Sequence, residues 1–227
     1  TATGFTPLAT ATESVIDLES VAEELVARDY QEVVTYSFIS DEVNSVIAGE
    51  NSELVLSNPI ASNMSVMRSS LWPGLLAVAA TNIARQHDRV RIFEIGKTFH
   101  GSLAQPEEVI RVSGLVSGSA LREQWGDKSQ RVDFYDIKSD VEAVIGMTGA
   151  LSEFDFVAGN HVALQPGQTA IVMRDAELVG ALGKIHPKLL KQFEIDKDVM
   201  LFELAADKCF AANLPVAKNI SKFPVIR

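Results

Sequence analysis

One cysteine, Cys209, is all the chain offers for thiol chemistry. No disulfide can form within it, and a reducing compartment fits. Basic residues are outnumbered too: 20 Lys and Arg against 30 Asp and Glu leave a net charge of −10. That argues against broad, sequence-independent binding to nucleic acid, because phosphates need clustered cations. The longest apolar run, LWPGLLAVAA, is far short of the ~20 residues a membrane-spanning helix needs. The N-terminal TATGFTPLATATES has neither the basic start nor the apolar centre of a secretory leader. No membrane is therefore expected as a partner, and the expected location is the cytoplasm. The chain starts without Met and ends at SKFPVIR, as if in mid-strand, so an excised domain of a longer protein is expected.

The usual chemical signatures are missing as well. There is no GxxxxGK[ST] or GxGxxG phosphate loop and no nucleophile-elbow serine. The four histidines, at 87, 100, 161 and 186, are far apart, and no Cys or His pair has metal-ligand spacing.

What is present is ordinary globular material: 227 residues, 47% apolar and 22% charged. A chain this long can bury roughly 70% of the surface its unfolded state exposes. The first sixteen residues, rich in Thr and Ala, read as a linker. DLESVAEELVARDY sets Leu18, Val21, Ala22, Leu25 and Val26 on one helical stripe behind an Asp17 cap. QEVVTYSFIS then reads as a strand, Ser40 caps a short helix closed by Gly49, and ELVLSNP reads as another strand. MRSSLWPGLLAVAATNIARQ is the strongest helix, with Pro73 tolerated in its first turn.

RIFEIGKTFH alternates apolar residues and is expected to break at Gly96. EEVIRVSGLVSG is a strand in which Gly114 and Gly118 suggest a bulge or an end. LREQWGDKSQRV is loop-like, and VDFYDIKSDVEAVIGMTG is a helix. FDFVAG, QTAIVMR and ELVGALGKI are strands, HPKLLKQFEI a helix, and VMLFELAADK a final strand. About seven strands and five helices in mixed order, several at hairpin spacing, point to an α+β fold with a mostly antiparallel sheet flanked by helices.

Few residues invite a chemical reading. Asp133, Asp136 and Asp140 lie along one helix and could hold Mg²⁺, but a solvated helix start explains them as well. His186, before a proline, reads as a cap rather than a catalyst. Trp72 reads as core or interface. Arg85, Arg89, Arg91 and Lys97, and separately Lys218, Lys222 and Arg227, read as solvated faces.

Seven separated stretches, in order, carry a resemblance: YQEVVTYSF, LSNPIASNMSVMRSSLWPGLLAVAATNIARQ, RVRIFEIGKTF, DFYDIKSDVEAV, LQPGQTAIV, GKIHPKLL and VMLFEL. Together they resemble the beta subunit of bacterial phenylalanyl-tRNA synthetase, over nearly the whole chain, in its class II synthetase-like core. The resemblance implies a core over residues 17–215, an arm over 1–16, and a linker over 216–227 into a missing anticodon-binding domain. It implies a non-catalytic copy of the alpha subunit's active-site domain, with the class II motifs degenerate.

Asp17–Tyr30 with Gln31–Phe38 has the shape of motif 1, but Tyr36-Ser37-Phe38 stands where a proline is expected. His100 stands at the motif 2 arginine, which grips a phosphate of ATP. Neutral imidazole lacks the charged fork of arginine. Glu203 and Ala205 stand at motif 3 glycines and Lys208 at its arginine; a carboxylate there repels a triphosphate and a β-carbon crowds it.

The implied role is structural. The domain would pack on the alpha subunit in an (αβ)₂ enzyme that charges tRNA with phenylalanine. That enzyme uses ATP and Mg²⁺; this domain is expected to hold no cofactor or metal and to be inactive alone. Leu18, Leu25, Trp72, Leu76 and Ile83 are the candidate subunit interface, and the isolated chain is expected to be prone to self-association. The alternative is a small-ligand module, for a nucleotide or amino acid, with His100, Glu94 and Lys208 lining the remnant pocket. A weaker one is tRNA contact through Arg85, Arg89 and Arg91.

Overall fold

The structure is a computed structural model that describes residues 15–49, 52–126 and 130–212. Its centre is a seven-stranded sheet in the order β1-β4-β5-β9-β8-β7-β6. The strands are β1 Gln31–Glu32, β4 Arg89–Ser102, β5 Gln105–Gly118, β6 Phe154–Ala158, β7 Leu164–Arg174, β8 Glu177–Ile185 and β9 Val199–Ala205. Only the β1–β4 pairing is parallel. A small pair, β2 Phe38–Ile39 with β3 Val66–Met67, stands apart. The helices are α1 Leu18–Ala27, α2 Asp41–Ala48, α3 Trp72–Ala84, α4 Phe134–Gly146, α5 Pro187–Gln192 and the short α6 Ala206–Cys209. The α+β class, the mostly antiparallel sheet and the flanking helices are as the sequence indicates.

Local chemistry sets the helix starts. The Asp17 side chain accepts from Ser20 N at 2.7 Å, and Ser40 Oγ accepts from Val43 N at 3.2 Å. Asp133 and Asp136 form a capping box at the start of α4. The ring of His186 caps α5 through Lys188 N, the role its place before a proline suggests.

The sheet has two greasy faces. On one, α1 and α4 bring Val21, Leu25, Ile137, Val141 and Val144 onto Phe93, Val112 and Phe202. On the other, α3 and α5 bring Trp72, Leu75, Leu76 and Leu189 onto Ile92, Leu115, Leu201 and Ala181. Residues directly opposite one another in a ladder share a face. Glu94, Ser113, Glu203, Ala181 and Ile171 therefore form one row across five strands on the α3 side, and Gly96, Arg111 and Ala205 a second. This places polar groups from β4, β5 and β9 beside the start of α3.

Several elements differ from the sequence reading. QEVVTYSFIS pairs only at its two ends; between them the backbone follows β4 through single bonds, Val33 N to Phe93 O at 2.8 Å and Thr35 N to the Glu94 carboxylate at 3.3 Å. ELVLSNP makes one isolated bridge, Val55 with Val66. Strand β4 does not break at Gly96, which pairs with Arg111 in an unbroken hairpin. The glycine is there for space: a Cβ would meet Arg68 Nη2 at 2.6 Å. Gly114 is likewise no bulge; the Phe202 ring lies over it, and Gly118 ends the strand. The final strand stops at Ala205, and Ala206–Cys209 turn into helix.

The Gly96 geometry yields a prediction. Arg68 cannot swing aside, because Nε donates to Lys97 O at 3.0 Å and Nη1 to Glu94 Oε1 at 2.8 Å. Gly96→Ala is expected to cost about 1–3 kcal/mol of unfolding free energy in urea denaturation, as overpacked cores do. An unchanged midpoint would show that Arg68 yields freely.

Candidate functional site

A half-open cleft of about 560 Å³ lies on the α3 face of the sheet, in the size range of small-ligand sites. It collects the four positions at which the resemblance implies degenerate motifs: His100 from β4, Glu203 and Ala205 from β9, and Lys208 from α6. Residues 103 positions apart in sequence meet there because β4, β5 and β9 are neighbours.

Glu203 forms the floor. Its carboxylate is buried, and Oε1 accepts from Leu71 N at 2.7 Å and Ser70 Oγ at 3.0 Å. The acid thus satisfies an otherwise orphaned donor at the start of α3 and sits at the positive end of its dipole. Leu71 itself has no side chain able to cap. Burial pushes the Glu203 carboxyl above the usual range, and the nearby Arg111 guanidinium opposes that shift. Trp72 locks the same junction, its Nε1 donating to Phe202 O at 3.2 Å.

His100 is half-buried, with Nε2 3.0 Å from Thr98 Oγ1. Lys208 stands on α6 at the rim, with its Nζ 2.6 Å from Glu177 Oε1. That hydrogen bond holds its ammonium above the ordinary lysine value. Ala205 lines the wall. Three carboxylates, Glu107, Glu203 and Asp207, border the cleft against the cations Arg111 and Lys208.

Glu94 does not line this cleft. It is 2% exposed and committed to Arg68 and to Thr35 Oγ1, which donates to Oε2 at 2.7 Å. The three aspartates of α4 do not converge either. Asp133 and Asp136 serve the cap, while Asp140 points into the core and accepts from Arg28 Nε at 2.8 Å, Tyr30 OH at 2.7 Å and Arg91 Nη2. Three of the four clustered cations are paired with acids, Arg91 with Asp140, Arg89 with Asp29 and Lys97 with Glu108; the Arg91 side chain is buried rather than on a solvated face, and Arg85 is exposed. The tail cations Lys218, Lys222 and Arg227 lie outside the described residues.

Leu25, Trp72 and Leu76 are 0–2% exposed within the chain's own core and have no surface to offer a partner. Leu18 and Ile83 are half-buried. Exposed apolar surface belongs instead to Val34 and Tyr36, 90% and 73% exposed on the segment between β1 and β2. Two further cleft residues carry no sequence signal: Arg111, opposite Ala205, and His161, whose ring meets Trp72 edge-on at 4.8 Å. Burial holds the His161 imidazole below its usual value, favouring the neutral ring.

Residues 6–206 match the family described as the phenylalanyl tRNA synthetase beta chain CLM domain. The phenylalanine–tRNA ligase beta subunit of Pseudomonas putida strain KT2440 is 47% identical over 211 residues, 93% of this chain and 27% of that protein. The corresponding subunit of Methylococcus capsulatus is 45% identical over 217 residues, 96% of this chain and 27% of that protein. The chain thus spans about a quarter of the length of these relatives. Pyrrolysyl-tRNA synthetase from Desulfitobacterium hafniense has the same fold at 21% identity, with a TM-score of 0.63 over 85% of this chain and 66% of that one. No helix among the described residues is long and apolar enough to cross a membrane. With a family match over most of its length and a class II synthetase fold, the chain belongs to the phenylalanyl-tRNA synthetase beta chain CLM domain family.

Proposed function

We propose that the chain is a non-catalytic, class II synthetase-like scaffold of a phenylalanine–tRNA ligase beta subunit, packing on a catalytic alpha subunit in an (αβ)₂ enzyme. The observation that carries this reading is Glu203. Where a class II nucleotide site needs room and positive charge, this cleft has a buried carboxylate fastened to the start of α3. His100 offers no guanidinium, and Lys208 is tied to Glu177 at the rim. Chemistry with ATP and Mg²⁺ then belongs to the alpha subunit. With Arg89 and Arg91 committed to acids, tRNA contact through that group is disfavoured.

The packing surface we assign is the Val34–Tyr36 segment between β1 and β2. Thr35, between them, is pinned by Glu94, and Val34 and Tyr36 on either side are exposed. Tyr36→Glu is expected to weaken association with the alpha subunit at least tenfold, because it puts a charge where apolar contact must form. Its own fold should be retained, since Tyr36 is exposed. Sedimentation of the mixed subunits measures this; undiminished association would move the interface elsewhere.

A second reading is a small-ligand module. It is favoured by the cleft itself, which remains open and keeps Arg111 on its floor.

A further inference from the structure

Between β1 and β2 the chain leaves the sheet ladder, yet one side chain fastens it to a buried ion pair. Thr35 Oγ1 donates to Glu94 Oε2 at 2.7 Å and accepts from Arg68 Nη1 at 2.9 Å, and Thr35 N donates to Glu94 Oε1 at 3.3 Å. Arg68 Nη1 also donates to Glu94 Oε1 at 2.8 Å, and the two charged side chains are 5% and 3% exposed. An ion pair taken out of water is tolerated only when its remaining donors and acceptors find partners. The Thr35 hydroxyl is one of those partners for both members of this pair. Two backbone bonds flank it, Val33 N to Phe93 O at 2.8 Å and Arg68 N to Ser37 O at 2.9 Å.

Helix α3 closes the slot from its other side. A Cβ at Gly74 would lie 2.1 Å from Thr35 Oγ1 and 2.7 Å from Thr35 Cβ, so the helix meets Thr35 at a residue with no side chain. The hold is inward at Thr35, while its neighbours Val34 and Tyr36 stand exposed. A segment that orders only on binding loses affinity to conformational entropy, and one ordered beforehand keeps it. Residues 33–37 are ordered beforehand, by side chains in place of a ladder.

We propose that Thr35, Glu94 and Arg68 are positioning residues for the partner surface: they fix the backbone of residues 33–37 ahead of association and so set the affinity for the alpha subunit from inside the fold. This rests on the reading of Val34–Tyr36 as the packing surface.

The test compares Thr35→Val, which keeps nearly the shape and removes the hydroxyl, with Thr35→Ser, which keeps the hydroxyl. Each is made in the 227-residue chain, and two quantities are read: hydrogen exchange at the residue 35 amide, and the dissociation constant with purified alpha subunit by sedimentation. The valine variant is expected to exchange at least about tenfold faster and to bind about tenfold more weakly, and the serine variant to stay near wild type in both. Gly74→Ala reaches the clamp from the helix side. Alanine favours α3, but its Cβ takes the space of the hydroxyl, so it should expel Thr35 and give the same two changes. Amides at the sheet centre, Leu115 and Leu201, should keep their protection throughout. If they lose it in both Thr35→Val and Gly74→Ala, the clamp is ordinary core and the proposal falls. Faster exchange with undiminished association, beside the weakening expected of Tyr36→Glu, overturns the proposal and leaves the packing surface standing. Undiminished association in Tyr36→Glu overturns both. Weaker association in Thr35→Val with unchanged exchange also overturns it, since Thr35 would then act by contact.

Discussion

Replacing Asp140 with alanine is expected to lower the unfolding free energy by about 3–5 kcal/mol, a large share of what a domain possesses. Asp140 is 3% exposed and gathers Arg28 from the end of α1, Tyr30 from the turn into β1, and Arg91 from β4. Arg91 has no exit. Its side chain is 8% exposed, its guanidinium lies 4.6 Å from the centre of the Tyr30 ring, and its Nε has no hydrogen-bond partner. Without the acid, a buried cation loses its compensating charge and the Tyr30 hydroxyl loses its acceptor. Asp140→Asn keeps the volume and one acceptor oxygen, so it should fall between the two. Urea denaturation followed by circular dichroism gives the ordering wild type, Asn, Ala. A loss below about 1 kcal/mol for alanine would mean that water reaches Arg91 and the network is ornamental.

Glu203→Ala is expected to cost about 2–4 kcal/mol, from orphaned donors at Leu71 N and Ser70 Oγ together with the space left in the floor. Glu203→Gln preserves the accepting oxygen and should cost much less. The pair also separates in pH. Burial raises the folded-state pKa of Glu203, so in the window between the ordinary carboxylate value and the raised one the folded chain holds more protons than the unfolded chain. Stability contributed by this group is present below that window and falls as pH rises through it. The glutamine variant lacks that decline. Parallel pH profiles for wild type and Glu203→Gln would show that the carboxylate is ionised throughout, and loss of α3 docking would then be argued from geometry alone.

The sequence discloses the elements whose signals are local. The caps Asp17, Ser40, Asp133 and His186 and the apolar stripes of α1, α3 and α4 depend on residues within a few positions, and they appear where the pattern puts them. Failures occur where a distant partner decides. QEVVTYSFIS has strand composition, yet Glu94 and Arg68 hold its middle by side-chain bonds in place of a ladder. Gly96 looks like a breaker until Arg68, 28 positions earlier, is seen to need its space. The cleft is half legible. The resemblance names His100, Glu203, Ala205 and Lys208, and the sheet order brings them together. Arg111 and the Glu203 anchorage depend on strand register and on a contact spanning 132 positions, which no periodicity encodes. Leu25, Trp72 and Leu76 illustrate the remaining ambiguity, since a core face and an interface face have the same composition.

The central claim, a class II cleft that has given up its nucleotide and works as a scaffold, is tested most directly by calorimetry of the chain with ATP and Mg²⁺ at millimolar concentration, followed by titration with purified alpha subunit. The account predicts no heat from ATP and saturable binding to the alpha subunit. ATP binding that disappears in His100→Ala would contradict it and return this cleft to the working nucleotide sites.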